Sequence, residues 1–313
     1  IWYLPMKHLG AHGFMDCKYL DPQLKALFCF GDQQIFLPHV YRWCRRRRIP
    51  FVAYVGTAHS LDSNFKSKVM NALFAAGTLR IYKKNPVLAK TSAAKEELRQ
   101  LGVPHAVIAP VGLDTAVLKK NIPADEKMRL RKEHGFEADD VILCNVSRLS
   151  WEKRPLELID LFLQVKGKKK FKLIIVGNGP LEEELNEKIR KNGLEKEVKI
   201  YPNVPYEKMW EIYEMSDYYL NMNKGEIFGM AIMEAVYYKT SVAAIRALGP
   251  SVTLKDMKGH KLCENDDEMA EWITGPYPSE KDLQESSEKM AATFTWDRCA
   301  DAFLQASSEK SSR

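Results

Sequence analysis

At 313 residues the chain is longer than a single hydrophobic core usually grows, so two domains are expected. Apolar residues at 45% and charged residues at 28% exclude a disordered or fibrous chain. No apolar run approaches the ~20 residues that span a bilayer, and the chain opens on no charged-then-apolar leader.

The net charge of +6 collects partly in two runs, Arg45 to Arg48 and Lys166 to Lys172. Each run reads as a solvated helix end, as a patch for anionic lipid headgroups, or as a nucleic-acid contact. The third reading is the weakest, because interleaved aromatics and any recognised binding motif are missing, so no nucleic acid is expected. The six cysteines, Cys17, Cys29, Cys44, Cys144, Cys263 and Cys299, are scattered without a CxxC pair or a Cys/His cluster. Reduced thiols in a cytoplasm follow, and no metal site is expected.

Along the chain, short apolar runs at 26–30, 51–55, 79–82, 87–90, 106–109, 141–146 and 172–177 predict buried strands. Helical spacing predicts helices over 155–167 and 181–193, the latter stopped by Gly193. Strand and helix alternating at this rhythm predict parallel α/β layers. The charged stretch 119–140 is weakly patterned and reads as a boundary. The closing segment from Ala292 reads as an amphipathic helix running into a Ser/Lys tail.

The densest constellation is KGEIFGMAIMEAVYYKTSVAAI, residues 224–245. It follows YYLNM (218–222), read as a strand end, so Glu226, Ile227, Phe228 and Gly229 fall in a strand-to-helix loop. In an open α/β sheet that is the crevice side where ligands bind. Gly229 lets backbone approach a ligand, and the N–H groups at the helix start face an anion such as a diphosphate. Glu226 and Glu234, at most ~17 Å apart, suit hydroxyl pairs at opposite ends of an extended ligand. The competing reading makes Glu226 a dipole-complementing acid and Glu234 a solvated face residue.

A second loop, SRLSWEKRP (147–155), follows the strand VILCNV and carries Arg148 and Lys153. Two cations there suit a diphosphate leaving group, with surface ion pairing as the alternative. GNGP (177–180) is a third strand-end turn, whose glycines read as permitting the connection. It is no dinucleotide fingerprint, since the third glycine of GxGxxG would fall at Glu182. No DxD pair, P-loop, GxSxG elbow or HExxH helix occurs.

Taken together, SRLSWEKRP, LIIVGNGPLEEEL, SDYYLNMNKGEIFGMAIMEAVYYKTSVAAIRALGP and FTWDRCADAF resemble the C-terminal domain of retaining glycosyltransferases of the two-Rossmann-domain (GT-B) class, family 4. The resemblance extends through 91–118 and IPFVAYVGTAHS (49–60). It implies an α/β fold of two Rossmann-like domains facing across a cleft, divided as 1–125, 126–290 and a C-terminal helix with tail at 291–313 that packs back on the first domain. Arg148 and Lys153 would hold the donor diphosphate, assisted by backbone N–H groups at Phe228, Gly229 and Met230. Glu226 would contact sugar hydroxyls and Glu234 the ribose. The loop YPNVP (201–205), with Val204, would lie near the nucleobase, and His59 would face the donor sugar.

Two features depart from that pattern. The family's opening strand and glycine-rich loop have no counterpart, and its small loop after the second glutamate reads ALGPS (247–251), with close backbone approach expected at Gly249. The implied activity is metal-independent transfer of a hexose-type sugar from a UDP- or GDP-linked donor to a glycan or lipid-linked acceptor, with retained configuration and no cofactor. A cytoplasmic enzyme of polysaccharide biosynthesis, in peripheral contact with anionic membrane, is the expectation. An inactive glycosyltransferase-like partner subunit and a nucleotide-sugar epimerase of the same fold are the alternatives.

Overall fold

The computed structural model describes residues 5–9, 12–30, 36–57, 65–119 and 121–308. It divides into two compact units: 1–112 with 296–313, and 113–295. The sequence reading set the division after residue 125.

The first unit begins with an antiparallel hairpin, β1 (Met6–Leu9) and β2 (His12–Met15). A single turn over Cys17–Tyr19 leads to β3 (Leu27–Phe30), α1 (Leu37–Arg47) and β4 (Phe51–Val55). Then follow α2 (Phe65–Ala76), α3 (Thr78–Tyr82), β5 (Val87–Ala89), α4 (Ser92–Gln100) and β6 (Val107–Ile108). The four strands from β3 to β6 form one parallel sheet in that order. All five residues of β4 are buried. Phe51, Ala53 and Val55 pack with Leu37, Val40 and Cys44 of α1, while Val52 and Tyr54 pack on the opposite face. Burial on both faces is why FVAYV reads as an unbroken apolar run.

The run 79–82 is a helix and not the strand its apolar character predicts. A four-residue apolar stretch carries no period that separates the two states, and contact with α2 and α1 decides it.

In the second unit, α5 (Glu126–Glu133) lies inside the charged stretch read as a boundary. Its Arg131 is buried, donating to the carbonyls of Met215 and Asp140 and pairing with Asp217 at 2.7 Å. Lys127 pairs with the same carboxylate at 2.9 Å. Charged residues here are anchors, which composition alone does not reveal.

The alternating core follows: β7 (Val141–Val146), α6 (Pro155–Val165), β8 (Phe171–Val176), α7 (Glu182–Lys191) and β9 (Val198–Tyr201). It continues through α8 (Met209–Met215), β10 (Tyr218–Asn221), α9 (Met230–Tyr237), β11 (Ser241–Ile245), α10 (Leu248–Thr253) and β12 (Lys261–Cys263). Helices α11 (Asp266–Thr274) and α12 (Glu280–Thr293) complete the unit. All six strands are parallel, ordered β12-β11-β10-β7-β8-β9. The chain runs outward from β7 to β9, then returns to place β10 on the other side of β7. That reversal is a topological switch point. The last helix, α13 (Trp296–Ser308), packs on β4 and β5 of the first unit.

The two basic runs differ in use. Lys166, Lys169, Lys170 and Lys172 engage Glu197, the carbonyls of Ile273 and Gly275, the carboxylates of Glu137 and Asp139, and the Lys196 carbonyl. These four are structural, against the lipid-patch reading of that run. Arg45 to Arg48 remain exposed. Among the described residues, no helix is long and apolar enough to cross a membrane.

Candidate functional site

The loops at the carboxyl ends of β7 and β10 flank the switch point, and they carry the predicted cations and the first glutamate. After β7 the chain makes a tight path through Ser147 to Arg154. Its backbone meshes with the GNGP turn after β8: Leu149 N–H donates to the Asn178 carbonyl at 2.9 Å, and Leu181 N–H donates to the Leu149 carbonyl at 3.1 Å. A Cβ at Gly177 would stand 1.9 Å from the Ser147 carbonyl oxygen, and one at Gly179 would stand 2.4 Å from that of Leu149. These glycines do more than allow a turn, since they let one loop bed directly against the loop that carries Arg148. A GNGP read in isolation cannot reveal what lies across from it.

Arg148 is exposed, and its guanidinium makes no hydrogen bond or salt bridge to a described residue. Lys153 reaches across the switch point, its Nζ 2.8 Å from Glu226 Oε2, with both side chains largely buried. Asn223 Nδ2 donates to the same oxygen at 3.1 Å. Burial pulls the Glu226 carboxyl upward, but the Lys153 ammonium and the Asn223 and Asn221 amides outweigh it and hold the acid below its ordinary range. Glu226 is therefore an ionised acceptor, three residues before the Gly229 cap of α9.

The β10 loop is pinned from two sides. Arg154, in the left-handed region at φ 55°, forks onto Asp266 at 3.1 and 2.8 Å and donates to the Met222 carbonyl at 3.3 Å. Gly249 N–H donates to the Glu226 carbonyl at 2.8 Å. A Cβ on Gly249 would meet the Phe228 nitrogen at 2.5 Å, so the close approach expected there is made to the neighbouring loop's own backbone. The role of Asn223, Arg154 and Asp266 escaped the sequence reading. An Asn-Lys-Gly stretch and a loop arginine carry no signal until the strands bring their loops together.

Gly229 sits at φ 86° as the N-cap of α9. Phe228 is buried, its ring 6.0 Å from that of Phe294, while Met230 is 37% exposed at the first helical position. Glu234 lies one turn further in and is only 7% exposed, which excludes the solvated-face reading. Burial holds its carboxyl above the ordinary range, partly offset by the Tyr213 hydroxyl, donating at 2.7 Å, and by that of Tyr206. A small cleft lined by Leu118, Tyr206, Trp210, Tyr213 and Tyr238 borders it. Val204 is half-buried in the loop after β9 that leads to Tyr206. The structure thus joins Glu226 directly to Lys153 and gives Glu234 its own tyrosine-lined setting. His59 lies outside the described residues.

Comparison with known proteins places this geometry in context. The model of the family described as glycosyl transferases group 1 matches residues 126–290. The D-inositol 3-phosphate glycosyltransferase of Mycobacterium avium is 26% identical over 297 residues, covering 84% of this chain and 65% of that protein. The amylovoran biosynthesis glycosyltransferase AmsD of Erwinia amylovora is 34% identical over 112 residues, 36% of this chain and 31% of that protein. The chain spans less than two thirds of the length of either relative. Among solved structures, Anabaena HepE in complex with UDP and glucose superposes with a TM-score of 0.70 at 19% identity, covering 90% of this chain and 77% of that one. At that identity the likeness speaks for the fold: α/β, with two Rossmann-like units.

Proposed function

The chain belongs to the glycosyl transferases group 1 family, and from that premise we propose that it moves a hexose-type sugar from a nucleoside-diphosphate donor to a glycan or lipid-linked acceptor with retained configuration. The observation that carries the reading is the Lys153–Glu226 pair at the switch point beside the uncommitted Arg148. HepE, one of the solved neighbours, was crystallised with UDP-glucose, which favours a UDP-linked donor over a GDP-linked one.

In this reading Arg148 and Lys153 take the donor diphosphate, aided by N–H groups from Phe228 to Met230 at the start of α9. Ionised Glu226 accepts from sugar hydroxyls, and Glu234 accepts from the ribose in place of the Tyr206 hydroxyl. Val204 borders the base. The acceptor hydroxyl attacks the anomeric carbon on the face the diphosphate leaves. The bond from that carbon to the phosphate oxygen breaks, and the acceptor proton passes to that departing oxygen. Charge grows on the diphosphate as it departs, and fixed cations stabilise that charge more than the ground state. The protein supplies no nucleophile, metal or cofactor in this scheme.

Thermal-shift titration of the full chain against UDP, GDP, ADP and their sugar conjugates, with and without magnesium, tests the donor site. A metal-independent shift by one nucleotide family, lost in Arg148→Ala, is expected. Sugar transfer should fall at least ~100-fold in Arg148→Ala and in Glu226→Ala, the scale set by one lost charge-stabilising group. Near-normal turnover in either variant would sink the proposal.

A further inference from the structure

The run of arginines at the end of α1 is absorbed by neither the fold nor the proposed transfer. One face of α1 presents His39, Arg42, Trp43, Arg46 and Arg47 at successive one-turn spacings. That face and the Asp16–Lys18 turn together line a groove of about 280 Å³. The floor is apolar, with Cys17 and Trp43 buried, and the Arg47 guanidinium lies over the Trp43 ring at 4.6 Å.

The arginines of this groove have no carboxylate partner among the described residues. Arg42 uses only its Nε, on the Pro38 carbonyl at 3.1 Å, which leaves the outer nitrogens of its fork free of described partners. Arg46 makes no hydrogen bond or ion pair with a described residue. The one carboxylate, Asp16, is taken by Lys18 at 3.2 Å and by the Lys18 backbone N–H at 3.0 Å. Like charges held together on a rigid helix repel, and an anion bound between them relieves that cost. Planar guanidinium forks over an aromatic floor match the oxygens of a phosphate in shape and charge. Phe14, 46% exposed and ringed against His39 at 5.2 Å, and Tyr19, 45% exposed beside Lys18, stand at the rim.

We propose that this groove of the first unit binds a phosphate group, separately from the carboxyl-end site of the second unit. Arg42 and Arg46 hold the oxygens, with His39 and Lys18 bordering them. The phosphate belongs either to a soluble phosphorylated molecule or to a lipid headgroup, and the second source would use the Phe14 and Tyr19 rings at the membrane interface.

The full chain is titrated with inorganic phosphate by calorimetry, and sedimented with vesicles of equimolar phosphatidylglycerol and phosphatidylcholine. In Arg42→Gln with Arg46→Gln, binding is expected to weaken by about tenfold per arginine. Arg45→Gln with Lys95→Gln removes the same charge from exposed positions of the same unit outside the groove, and should leave binding nearly unchanged. Phosphate binding without vesicle binding identifies a soluble ligand, and vesicle binding without phosphate binding identifies a headgroup; either supports the groove. Equal loss in both double variants overturns it, as does binding of neither probe. Loss confined to Arg148→Ala also overturns it, by assigning the anion to the carboxyl-end site.

Discussion

The Lys153–Glu226 contact makes a prediction that is independent of substrate. At 2.8 Å and an effective dielectric of about 20, a unit charge pair attracts by about 6 kcal/mol. Both side chains are mostly removed from water, and their desolvation offsets more than half of that, leaving a net coupling of about 2 kcal/mol. A double-mutant cycle of Lys153→Met, Glu226→Gln and the pair, followed by urea denaturation of the full chain, reads this coupling directly. The pH dependence carries a sign. Because the Glu226 carboxyl is held below its ordinary 4.5, its ionised form stabilises the fold above that value, and the contribution is lost as pH falls through the folded value. In Lys153→Met burial is no longer outweighed and the carboxyl moves upward, so the deficit against wild type is largest at neutral pH and shrinks as pH falls through the variant's raised value toward the wild type's lowered one. A neutral-pH coupling under about 0.5 kcal/mol, the level of an exposed pair, refutes the reasoning. So does a coupling that stays constant into acid.

Gly177→Ala and Gly193→Ala both place a side chain at positive φ, at +139° and +60°, but only the first drives its Cβ to 1.9 Å from a backbone oxygen. Urea midpoints should show a loss of about 3 kcal/mol or more for Gly177→Ala against about 1 for Gly193→Ala; equal losses would mean that contact with the Arg148 loop is unimportant. Arg148→Ala removes an exposed, unpaired side chain and should change stability by no more than about 0.5 kcal/mol while abolishing the nucleotide-induced thermal shift. A large stability loss would show that the arginine is structural. His260 accepts from the Val242 N–H through Nδ1 at 3.0 Å, with Nε2 buried and unpartnered among the described residues, and burial pushes its pKa down to about 4. The unfolded chain takes up that proton near 6.5, so stability should fall by up to about 3 kcal/mol as pH drops from 6.5 to 4; His260→Asn, which keeps an acceptor, should flatten that slope.

Much of the second unit was legible because its central strands, β7, β8, β10 and β11, are almost wholly buried. VILCNV matches β7 residue for residue, and the strand-to-helix loop read as ending at Gly229 gives way to α9 at Met230. The strand-to-helix loops then follow from chain order, which is why Arg148, Lys153 and Glu226 could be named together. The first unit was less legible. Its strands are two to five residues long, and the helix over Thr78–Tyr82 has the same apolar content as a strand. The charged segment holding α5 failed for another reason: Arg131 is buried by partners some 85 residues away, at Met215 and Asp217.

The sequence by itself determined the alternation of strand and helix, the crevice-side loops and the residue types able to meet a diphosphate and hydroxyls, because periodicity and turn chemistry are local. The tertiary structure alone decided that Lys153 crosses the switch point to Glu226, that Glu234 is buried under tyrosines, and that the Gly177 and Gly249 backbones brace the two loops. Those outcomes depend on which strands become neighbours. Strand order is set by the packing of the whole sheet, and no window of the chain contains it.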